Sequence, residues 1–157
     1  MPSSSQSLFT KYQFYWLLLA AIIIRQIPIV SLPFNWLESF FHELSHGVAA
    51  IVTGGRIIKI ELFPNGAGLC TTQGGIRFFV TVMGYLGATL FGIALYQLAG
   101  QTITRAKFVY GFLIGLLSIT LVLWTRDVLT AIILLSLIGL LVVKWRFQNT
   151  YSLNILL

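Results

Sequence analysis

Charge is what this chain has least of. Only 9% of its 157 residues are Asp, Glu, Lys or Arg, against about 25% in an ordinary soluble domain. Hydrophobic residues make up 57%, and the mean hydropathy is +0.91. So few charges cannot solvate a surface, which excludes a water-soluble fold and points to an integral, multi-pass membrane protein of the plasma or inner membrane. Acids are scarcest, four in all, beside ten basic residues and a net charge of +6. The basic residues stand singly or in pairs at the ends of apolar runs, where they anchor helices against the lipid bilayer. That spacing excludes a nucleic-acid partner. The single cysteine, Cys70, excludes an intramolecular disulfide and leaves a free thiol. There is no repeat, linker or low-complexity stretch, so residues 1–157 read as one domain.

What is present is long and apolar. A crossing needs about 20 apolar residues, and five candidate helices follow: 12–30, 35–53, 78–98, 108–124 and 128–143. Pro28 kinks the first and Pro33 ends its segment, while Gly54-Gly55 stops the second. Between the second and third, RIIKIELF at 56–63 is β-branched and partly alternating. Pro64-Asn65-Gly66 is turn chemistry, and 68–72 is the returning strand. The expected fold class is therefore an all-α polytopic membrane protein, about five transmembrane helices with a short β-hairpin insertion after the second. Gly84, Ala88 and Gly92 share one helix face, as do Gly111 and Gly115; such small residues let helices pack closely in lipid. The N-terminus opens like a leader, a lysine and then an apolar run, but without a small-x-small cleavage site, so a retained first helix is expected. The closing YSLNILL, after polar KWRFQN, reads as the start of a sixth helix. Basic residues in the loops divide almost evenly and favour an inside N-terminus only narrowly.

Both histidines of the chain fall in FFHELSHGVAA, residues 40–50. His42 and His46 are four apart, so a helix places them on one face, able to offer two imidazoles to one ion. Neutral imidazole suits Zn²⁺, which lowers the pKa of a water towards about 7. Glu43, beside the first histidine, is placed to take that water's proton. The alternative is a structural polar cluster. Ionisable groups cost roughly 2.5–3.5 kcal/mol at a membrane helix centre for Asp, Lys or Arg, which makes an idle trio there the weaker reading.

The segment HELSHGVAAIVTGGRIIKIELFPNGAGLCTTQGG resembles the site-2-type intramembrane zinc metalloproteases, the M50 class, and most closely their M50B-like branch. The shared features are H-E-x-x-H, a T-G-G turn, an I-x-I-E-L strand, a glycine-containing turn and a closing G-G, covering roughly residues 38–92. The resemblance implies zinc held by His42 and His46, Glu43 as general base, and cleavage in or near transmembrane segments of membrane-protein or membrane-peptide substrates. The family takes a third ligand, an aspartate, from a later helix. Only Asp127, in LWTRDVLTA, is available, at the junction of the fourth and fifth candidate helices. It reads either as that third ligand or as a helix-start residue favoured by the dipole and paired with Arg126. A ligand beyond Leu157 is an equal expectation; Glu61, Asn65, Cys70 and Asn154 are weaker ones. The strand 57–62 offers an edge to which an unwound substrate can add. Against the protease stand a catalytically inactive zinc-binding pseudoprotease or membrane scaffold, and a proton or metal relay. Haem is disfavoured, because two histidines on one helix face cannot take opposite axial positions.

Overall fold

The computed structural model describes residues 12–99 and 103–154. In chain order these form α1 (Gln13–Arg25), α2 (Pro28–Val52), β1 (Arg56–Leu62), β2 (Gly68–Gln73), α3 (Arg77–Ala99), α4 (Ile103–Leu123) and α5 (Val128–Asn154). The described chain is thus mostly helical, five helices and one two-stranded antiparallel sheet. The leader-like residues 1–11 lie outside it.

The chain divides at Phe34/Asn35 into two compact units. The first holds α1 and the opening of α2. Pro28 takes the first helical position, where a missing N–H costs nothing. Pro33 does not end a segment as expected; it lies inside α2. Its fixed φ is a helical one, so the helix continues at the loss of one hydrogen bond.

In the second unit the hairpin pairs Arg56 with Gln73 and Leu62 with Gly68, with a bulge between Ile57 and Lys59. Ile57, Ile60 and Leu62 turn inward and join Phe40, Phe41 and Leu44 of α2 in one core. Val109, Leu113 and Leu117 of α4 and Ile133, Leu134 and Leu137 of α5 complete it. The outer edge of β1 is closed. The Ile60 N–H donates to Trp124 C=O at 3.0 Å, and the Leu62 N–H donates to Thr130 Oγ1 at 2.9 Å. This corrects the expectation of an open edge there: the α4–α5 turn already satisfies the strand.

α3, α4 and α5 are each long and apolar enough to cross a membrane, and a fourth crossing results if α1 and α2 form one broken span. α2 alone falls short because Asn35, Glu38, Ser39, His42, Glu43, Ser45 and His46 dilute its apolar residues. The outward faces carry large apolar side chains, among them Phe78 (71% exposed), Val122 (74%) and Val128 (76%). Lipid solvates such a surface and water does not. α5 runs unbroken through KWRFQN to Asn154, so residues 151–154 prolong that helix instead of opening a sixth; 155–157 lie outside the described residues.

Candidate metal centre and its cleft

α2 is held between the hairpin and α3, and its polar residues divide accordingly. On the hairpin side, Trp36 Nε1–H donates to Phe63 C=O at 2.8 Å, and the Ser39 hydroxyl donates to Gly66 C=O. On the α3 side, Phe41 stacks on Phe91 with centroids 4.7 Å apart. His42 meets Tyr85 at 4.5 Å in a T-shaped contact.

One helical turn apart, the two histidines converge. Their Nε2 atoms are 3.0 Å from each other. His46 Nδ1 lies 2.6 Å from Val80 C=O; a carbonyl only accepts, so this nitrogen carries the proton and Nε2 is left with its lone pair. Zinc–nitrogen bonds of about 2.0–2.1 Å at a tetrahedral angle hold two ligand nitrogens about 3.3 Å apart. The pair therefore fits a zinc ion. α3 makes room with Gly84: a Cβ there would collide with the His46 ring and come within 2.7 Å of His42 Nε2. The four-residue small-residue spacing read from the sequence as a packing device thus has one member facing the imidazoles, while no described residue faces Gly92.

Glu43 is buried, 8% exposed, and turns to the hairpin, where a Cβ on Gly68 would reach 2.7 Å from its Cγ. Cys70, next but one along β2, is half-buried. Burial, and after it the Glu43 charge, push its thiol up to about 12, so it stays protonated at neutral pH and is a poor metal ligand.

Asp127 stands elsewhere. Its Oδ2 accepts from the Thr130 N–H at 2.7 Å, the cap of α5, while Oδ1 is buried without a hydrogen-bond partner among the described residues. Arg126 does not pair with it; its guanidinium donates to Leu123 C=O at 2.9 Å. Among the described residues no third His, Cys, Asp or Glu joins the two imidazoles. Glu61 pairs with Lys59 at 2.8 Å, and Asn65 Oδ1 accepts from the Ala67 N–H within the turn. Asn154 is the last residue of α5. Val80, Gly84, Gly68 and Tyr85 surround the site without having been singled out for it. Only the small-residue spacing at Gly84 gave a signal.

A cleft of about 400 Å³ opens onto His42, lined by Glu38, Ser39, His42, Tyr85, Ala88 and Thr89. A second, apolar cavity of about 310 Å³ lies further along the α2–α3 contact, between Val48, Met83, Leu90 and Phe91.

Comparison with curated proteins and with solved structures gives no match. Comparison with protein families does: residues 15–157 match the Peptidase M50B-like family. The match takes in the histidine pair, the hairpin and the three helices after it, and the chain belongs to that Peptidase M50B-like family.

Proposed function

We propose that this chain is an intramembrane zinc metalloendopeptidase, with His42 and His46 as metal ligands and Glu43 as the general base. The observation that carries the reading is the convergence of two Nε2 atoms at 3.0 Å, one of them freed by the Val80 hydrogen bond. Zinc bound there would polarise a substrate carbonyl and bring a water's pKa towards about 7. The protein's own part is proton handling. Glu43 makes no hydrogen bond to another described residue, so its carboxylate is free to accept a proton from water and return it to the leaving amine. A substrate must be extended to expose its carbonyl. β1 is closed by the α4–α5 turn, so β2, whose Gly68 adjoins Glu43, is the edge left for it. In this reading the membrane is crossed three or four times and not about five, with the polar face of α2 turned to a wet cleft.

Zinc content and cleavage of a co-expressed transmembrane substrate test the proposal. Glu43→Gln keeps the zinc and loses activity by at least about a hundredfold, whereas His46→Ala loses both. A metal-free preparation of the intact chain ends the reading. A second reading, a zinc-binding pseudoprotease, draws on the engagement of Asp127 with the α5 cap. Cleavage by the unaltered zinc-loaded protein separates the two, and Asp127→Ala tests the ligand: loss of zinc assigns Asp127 as third ligand, and retained zinc with retained cleavage excludes it.

A further inference from the structure

We propose that the cleft ending on His42 binds a cationic peptide group, a Lys or Arg side chain or a free amino terminus, through Glu38 and Tyr85. The chain has four acids. Glu61 is paired with Lys59, Asp127 serves the Thr130 N–H, and Glu43 sits against Gly68. Glu38 is left. It lines the cleft, and among the described residues of 35–154 no cation or hydrogen-bond donor holds its carboxylate.

The other polar groups of the wall point the same way. The Ser39 hydroxyl proton is given to Gly66 C=O, and the Thr89 hydroxyl proton to Tyr85 C=O at 2.8 Å. Each hydroxyl therefore shows the cleft lone pairs only. Tyr85 is 79% exposed, and an open tyrosine face attracts ammonium and guanidinium groups. An anion, two acceptors and an aromatic face together favour a cation at Glu38, one helical turn before His42, where a bound metal's own charge would keep it out of the far end of the cleft. A neutral group in their place strips water from Glu38 without replacing its hydrogen bonds. That the cation belongs to a peptide rests on the proteolytic reading above. Lys and Arg gather at the ends of membrane helices, so the site selects bonds near such an end.

Peptides of one membrane-spanning sequence test this, with Lys, Gln or Glu beside the cleaved bond and the amino terminus free or acetylated. Their Kd values are measured on zinc-loaded Glu43→Gln protein in detergent. The Lys peptide is expected to bind about five- to tenfold tighter than the Gln peptide. Adding Glu38→Gln brings the ratio to about one, Glu38→Lys turns the preference to the Glu peptide, and Tyr85→Leu weakens Lys binding severalfold. Binding that acetylation weakens alike for every peptide, with Glu38→Gln removing that effect, identifies the terminal amine as the bound group. Equal binding of Lys and Gln peptides that acetylation also leaves unchanged, or a charge preference unmoved by Glu38→Gln, overturns the proposal. Cleavage of all peptides by the unaltered protein without charge preference also overturns it and leaves the protease standing. Glu38-dependent binding without any cleavage does the reverse.

Discussion

His46 shows how one backbone atom can set the chemistry of a side chain. Because Val80 C=O accepts from Nδ1–H, the ring is oriented with Nε2 towards His42. Gly84 guards the same point. The atoms a Cβ would strike are the far ends of two side chains, which can swing aside, so the fold survives while the ligand geometry does not. Gly84→Ala is expected to keep the helical circular dichroism and weaken zinc binding by about ten- to a hundredfold; full-strength zinc binding would refute this role. Cys70 allows a second measurement. With its thiol pushed up to about 12, thiolate is scarce at pH 8, so iodoacetamide labels the native protein far more slowly than the unfolded one. Glu43→Gln removes the smaller of the two causes, lowers the thiol's pKa and speeds labelling modestly. Labelling at an unchanged rate would show that Glu43 does not face β2.

Among the elements, the hairpin is held along β1 by the α4–α5 turn and the start of α5. Its outer edge depends on Thr130, fully buried, which receives the Leu62 N–H. Thr130→Val preserves shape and leaves that N–H unpaired, a loss of about 1–3 kcal/mol, read as a lower unfolding midpoint in detergent; Thr130→Ser should recover most of it. An unchanged midpoint for Thr130→Val would show the clamp to be idle. The hairpin itself was legible, because β-branched residues, Pro64-Asn65-Gly66 and flanking glycine pairs are local signals. Its closed edge was not, since Trp124 and Thr130 lie about 65 residues away and pairing at that range leaves no trace in spacing. Helix ends were read well at Gly54 and poorly at Pro33, where tolerance of proline depends on which hydrogen bond is given up. The histidine pair and Glu43 were legible from H-E-x-x-H, while Asp127 offered two readings that sequence could not separate.

For the molecule as a whole, the lipid-facing helices make a topological claim. If α4 (Ile103–Leu123) crosses the membrane, its two ends face opposite compartments. Cysteines placed at Arg105 and Arg126 in a Cys70→Ser background should then react with an impermeant reagent from opposite sides of sealed vesicles. Reaction from one side would remove α4 from the crossings. A last consequence concerns heredity. Apart from synonymous third-base changes, a glycine codon mutates by one base only to stop or to a residue with a Cβ, so no single-base amino-acid replacement at Gly84 leaves the imidazoles undisturbed. In a pool of random alleles selected for activity, codon 84 should retain synonymous changes and shed the rest, though those discarded alleles still yield folded protein.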